Sequence, residues 1–144
     1  MEMIDTHCHL DFDAYDTDRE AVISRACQAG VQGFVIPAVQ RATWDNLIEL
    51  CDSSNYLYSA LGLHPMFISH HQDRHIEDLK KYITDYQPVA VGEIGLDFYD
   101  RSQMDRQTEI FERQLPIACD VKLHVILHVR KAHEEVLACL KKYK

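Results

Sequence analysis

The 144-residue sequence predicts an α/β fold, a TIM-type β/α barrel truncated to about five βα units and forming a single partial domain over residues 1–144. Three observations carry this expectation. Short apolar runs alternate with amphipathic stretches, the pattern of βα units wound around a parallel sheet. The units come at nearly the density of a complete barrel, which needs eight of them and typically ~250 residues. Polar side chains fall just after the apolar runs, where parallel β/α folds build their sites. On length alone, an open five-stranded sheet of the flavodoxin type is the rival.

The first strand is read at Met3–His7 and the first helix at Thr17–Ala29, with Thr17-x-x-Glu20 as a capping box and Gly30 in the left-handed position after the last turn. Gly33–Pro37 is the second strand, followed by a helix over Ala42–Asp52 that turns Trp44, Leu47, Ile48 and Cys51 inward. The third unit is Leu57–Leu61 with Ile76–Tyr86, and the fourth Val89–Gly92 with Ser102–Cys119. The fifth is His124–Leu127 with Ala132–Tyr143. Pro116 sits inside the fourth helix, where an interior proline costs ~3 kcal/mol or bends the axis.

Composition narrows the function classes. An apolar content of 47% suffices for one core, and no apolar run is long enough for a signal peptide or a membrane span. A soluble cytoplasmic protein is therefore expected. Five cysteines without a close Cys-x-x-Cys pair suggest neither a disulfide framework nor a zinc ribbon. A net charge of −8 argues against nucleic-acid binding through a broad basic surface, so a polyanionic substrate would need bound metal and a few local cations.

The chemistry begins at His7 and His9. A spacing of two places both rings on one side of an extended chain, and imidazole nitrogens suit zinc, manganese or a similar ion. Asp5 and Asp11 share that parity, and either could orient a ring. Further polar groups follow the later strands: His64, Glu93 and His128. A buried Glu93 would find compensation in a bound cation.

Taken in order, Asp5-Thr6-His7-Cys8-His9-Leu10-Asp11, Leu61-Gly62-Leu63-His64-Pro65, Gly92-Glu93-Ile94-Gly95-Leu96-Asp97 and Ile126-Leu127-His128-Val129-Arg130 resemble the motifs of TatD-family DNases. The resemblance runs from Ile4 to the end of the chain and covers about the first half of that family's barrel, which is of the metal-dependent hydrolase type. It implies a divalent-metal-dependent nuclease of exonuclease type, cleaving phosphodiester bonds in DNA first and RNA second. His7 and His9 would bind one metal, Glu93 would bridge two, and His128 would bind the second; the ions would be Mg, Mn or Zn. His64 and Arg130 look like groups placed for substrate phosphate, and with Glu93 they are the expected catalytic residues. Asp97 is expected to position a neighbour or cap a loop.

Family members supply a further His and an Asp after later strands, outside this sequence. The residues present are therefore expected to hold one ion well rather than two, to give little turnover alone, and to leave an open barrel edge that favours self-association. Two alternatives stay open: an amidohydrolase-type barrel enzyme acting on amides, and a catalytically silent chain that binds a metal or a partner. His124 is expected at the surface or in packing, and His70, His71 and His75 in a solvated loop without chemistry.

Overall fold

The structure, a computed structural model, describes residues 2–143. Five strands, β1 (Met3–Asp5), β2 (Val31–Pro37), β3 (Leu57–Leu61), β4 (Ala90–Asp97) and β5 (His124–Arg130), form one sheet in sequence order. Every neighbouring pair is parallel. Helices α1 (Arg19–Gln28), α2 (Trp44–Asp52), α3 (Arg74–Tyr86), α4 (Met104–Val121) and α5 (His133–Leu140) alternate with the strands. A flavodoxin-type sheet reverses its winding at a switch point; here each strand lies beside its predecessor, as in a half-barrel.

The packing follows the apolar patterning. Trp44, Leu47 and Phe111 from the helices meet Ile36, Leu61 and Val91 from the sheet, all fully buried. Each such side chain contributes roughly 1.5–3 kcal/mol through burial. The Trp44 indole N–H donates to the Gly62 carbonyl at 3.3 Å, so α2 is fixed in register against the end of β3.

Close strand contact explains two glycines. A Cβ on Gly92 would lie 2.6 Å from Ile126 Cβ, and one on Gly62 2.8 Å from the Gly92 carbonyl carbon. Gly95, at φ +143°, adopts a backbone conformation that side chains disfavour and abuts the His128 carbonyl. These approaches bring the ends of β3, β4 and β5 together.

Several boundaries differ from expectation. β1 stops at Asp5, so His7 lies beyond it, although the Cys8 amide still donates to the Val35 carbonyl (3.2 Å) and holds the segment beside β2. β4 runs on through Glu93 to Asp97, and β5 through His128 to Arg130. The apolar runs end earlier than the strands because both strands carry the polar residues of the site. The Thr17 capping box does not form: α1 starts at Arg19 after Asp18, with no side-chain cap. Gly30 does take a positive φ, 103°.

α4 continues through Pro116 as one helix. Proline has no N–H to give the Glu112 carbonyl, and the Tyr143 hydroxyl takes its place at 3.3 Å. His71 and His75 are buried rather than solvated, while His70 and His124 are exposed.

Candidate metal centre

Glu93 lies at the middle of the site, buried in β4, with four imidazoles around its carboxylate. His7 Nε2 (3.0 Å) and His9 Nε2 (3.5 Å) face Oε2. His64 Nε2 (3.4 Å) and His128 Nδ1 (3.1 Å) face Oε1. Burial would push the Glu93 carboxyl up, but hydrogen bonds from His128, His64 and His9 outweigh it and hold the group well below the usual carboxylate range. The same contact with Glu93 raises His9 and His128.

Two donor sets result, His7–His9–Glu93 and His64–Glu93–His128, each with ligand atoms within 4.8 Å of one another. The first fits a divalent cation: two imidazole nitrogens and one carboxylate oxygen converge from a strand-end segment and a buried strand. The intervening Cys8 does not join it. Its thiol is turned toward the Val35 carbonyl (3.8 Å) and is pushed up to about 11 by burial and by Asp5, so it stays protonated.

The second set contains two ligand atoms and a donor. The Asp97 carboxylate accepts from His128 Nε2 at 2.9 Å, so the neutral ring turns its Nδ1 lone pair toward the centre, where His64 Nε2 stands 3.1 Å away. His64 is the reverse. The Met66 amide donates to His64 Nδ1 at 3.0 Å, so the neutral ring carries its proton on Nε2 and presents a hydrogen-bond donor to the site. Proximity alone would count His64 as a ligand; its tautomer argues otherwise.

Asp97 thus serves as a positioning residue. Neither expected partner of the first pair hydrogen-bonds a ring: Asp5 accepts from the His7 backbone amide (3.1 Å), and Asp11, whose charge helps raise His9, has a buried Oδ1 with no hydrogen-bond partner among the described residues. His9 instead stacks on Phe12, with centroids 4.9 Å apart. Arg130 is half exposed at the end of β5, with Nη1 3.8 Å from Asp97 Oδ2.

Three contributors escaped the sequence reading. Gln114, fully buried on α4, accepts from the Leu63 amide (2.8 Å) and donates to the Leu63 carbonyl (3.2 Å). Gln107 does the same for Asp97, at 2.8 and 3.0 Å. Both amides act like a short piece of neighbouring strand, fixing the backbone that presents His64 and Asp97. The available signal was two glutamines seven apart on the apolar face of a helix. His71 donates from Nε2 to the His64 carbonyl at 2.8 Å, and burial pushes it down to about 4, so it stays neutral.

A parallel β/α half-barrel with a histidine–glutamate donor set at its strand ends defines a class of metal-site proteins. Within that class, the model of the TatD related DNase family matches residues 4–144, and the chain belongs to this family. It is 40% identical over 143 residues to the uncharacterized metal-dependent hydrolase YjjV of Escherichia coli, covering 97% of this chain and 55% of that protein. It is 33% identical over 141 residues to the 3'-5' ssDNA/RNA exonuclease TatD of Erwinia amylovora, covering 96% and 54%. The crystal structure of YjjV superposes with a TM-score of 0.92 over 98% of this chain and 56% of that one. The chain spans about half the length of the curated relatives it matches.

Proposed function

We propose that the protein is a divalent-metal-dependent hydrolase of phosphodiester bonds in DNA, and in RNA as well, of the exonuclease type. The single observation that carries this reading is the Glu93 carboxylate, whose two oxygens face two separate donor sets. His7, His9 and Glu93 would hold one ion, and Glu93 with His128 a second, more weakly. Mg, Mn and Zn are the candidates. When bound, such ions supply Lewis acidity toward phosphoryl oxygens and lower the pKa of a water.

The chain's own residues would do the rest. His64, with its proton on Nε2, donates a hydrogen bond to a phosphoryl or leaving oxygen. Arg130 offers a forked guanidinium to the same phosphate. Asp97 keeps His128 in the ligand tautomer. With a net charge of −8 elsewhere, these groups and the ions must draw the polyanion in. A relative named as an exonuclease of single-stranded DNA and RNA supports that substrate class.

Residues 1–144 alone should give little turnover; extended through the later strands that the longer relatives carry, the protein incubated with Mg²⁺, Mn²⁺ or Zn²⁺ and end-labelled single-stranded DNA should shorten the strand stepwise, and Glu93→Gln should stop it. Intact DNA and RNA with every metal, under conditions where calorimetry shows the ion bound, would leave a silent metal binder and overturn the hydrolase reading.

A further inference from the structure

Tyr99 is 63% exposed beside the centre, and two cations share its ring. Arg130 Cζ lies 4.0 Å from the ring centroid and Lys131 Nζ 4.6 Å. We propose that Tyr99 gathers Arg130 and Lys131 so that, while Arg130 serves the phosphate held at the metal centre, Lys131 forms a second phosphate subsite for the phosphodiester next to it. This deepens the nucleic-acid reading above and rests on it.

Consecutive residues of an extended strand project to opposite faces, so neighbours do not normally reach one ring. β5 ends at Arg130, and Lys131 takes φ +53°, in the left-handed region. This breaks the alternation, and both Arg130 and Lys131 reach the Tyr99 ring. Such a φ is uncommon outside glycine. Here it brings two like charges to one ring, whose π-electrons attract each without neutralising it.

Both charges remain available. Among the described residues Lys131 has no carboxylate within ion-pair distance, and Arg130 reaches only Asp97 Oδ2, at 3.8 Å, an oxygen already held by His128 at 2.9 Å. The place is also fixed. The Tyr99 amide donates to Asp97 Oδ1 at 3.0 Å, so one carboxylate ties both His128 and the Tyr99 backbone to the same point. A small cleft lined by Pro65, Met66, Tyr99 and Arg130, with Asp97 and Asp100 also on its wall, runs alongside.

The test is equilibrium binding, by fluorescence anisotropy, of a labelled phosphorothioate oligothymidylate of about eight nucleotides, with Mn²⁺ present and salt varied from about 50 to about 200 mM. Lys131→Gln should weaken binding several-fold and reduce the salt slope by about 0.7, the loss of one phosphate contact to a single strand. Tyr99→Leu should weaken it about tenfold with a larger loss of slope, and Tyr99→Phe should stay near the parent because the ring is kept. Mn²⁺ affinity should be unchanged in all three. Parent affinity and slope in both Lys131→Gln and Tyr99→Leu would overturn the subsite and leave the nucleic-acid reading standing. A Tyr99→Phe loss as large as that of Tyr99→Leu would overturn the role of the ring. No binding by the parent protein at the lowest salt would remove both readings together. Should Tyr99→Leu fail to fold, Lys131→Gln alone decides.

Discussion

The two sides of Glu93 are built differently. On the Oε2 side, His7 and His9 come from a segment past the end of the outermost strand, with side chains 39% and 27% exposed. Apart from the Cys8 amide bond to Val35 and the Phe12 amide bond to the His9 carbonyl, their support is an exposed backbone bond to Asp5 and a stack on Phe12. On the Oε1 side, His64 and His128 are 6% and 19% exposed, and each is braced by groups from elsewhere: Met66, His71 and Gln114 behind His64, Asp97 and Gln107 behind His128. The loosely supported side has the more complete ligand set. The rigid side has fewer ligand atoms and the better-fixed proton donor, so affinity and orientation are divided between the two sides.

The largest test removes what the sides share. Glu93→Gln should abolish metal binding at both sets in calorimetry; retention of one ion at parent affinity would show that Glu93 does not serve both. His7→Ala with His9→Ala should eliminate only the first ion, and unchanged affinity there would take the pair out of the site. Next, Gln114→Leu should cost about 2–4 kcal/mol in urea unfolding, because the Leu63 amide and carbonyl lose their buried partner. Asp97→Ala should weaken binding at the His128 set about 10–100-fold. Asp5→Ala, the counterpart on the open side, should change stability by less than about 1 kcal/mol and affinity by less than about threefold. Equal losses for Asp97→Ala and Asp5→Ala would erase the contrast.

Acidity gives opposite signs with and without metal. Imidazoles must be deprotonated to ligate, and Glu93 raises His9 and His128 above 6.5. Metal affinity should therefore climb as pH rises through and beyond ~6.5, by up to about tenfold per unit for each proton displaced. In metal-free protein the raised groups bind Glu93 more tightly when charged. Their contribution to stability is fully present below ~6.5 and fades as pH rises through the folded values. The depressed Glu93 contributes above its unfolded value of ~4.5 and loses that contribution as pH falls toward its folded one. Thermal scans against pH, with chelator and with Mn²⁺, should show opposite slopes above neutrality; parallel curves would remove the histidines as the titrating groups.

Much of the architecture was legible because apolar periodicity and strand order express one cause, the need of each βα unit to bury its inner face. The cluster was legible too, since His7, His9, Glu93 and His128 each follow an apolar run, although β1 ends before its pair and β4 and β5 run on through theirs. Less legible was what lies inside it. β4 was read short because Glu93 and Gly95 interrupt an apolar run that the strand itself crosses. His71 looked solvated among polar neighbours, yet it is inside, because its ring reaches back to the His64 carbonyl. The Thr17 box was lost when two more residues, 17 and 18, stayed outside α1. Polar atoms that satisfy another segment's backbone leave little trace in periodicity, and Gln107 and Gln114 belong to that kind.

Those two glutamines also make α4 a gauge. Seven residues of helix advance about 10.5 Å and return nearly to the same azimuth, so Gln107 and Gln114 reach the ends of two neighbouring strands from one face. An added or deleted residue between them would swing one amide by about 100° and leave a strand end without its partner. The segment 107–114 can therefore vary in composition on its outer face while its length is held constant by chemistry happening at the far end of the sheet.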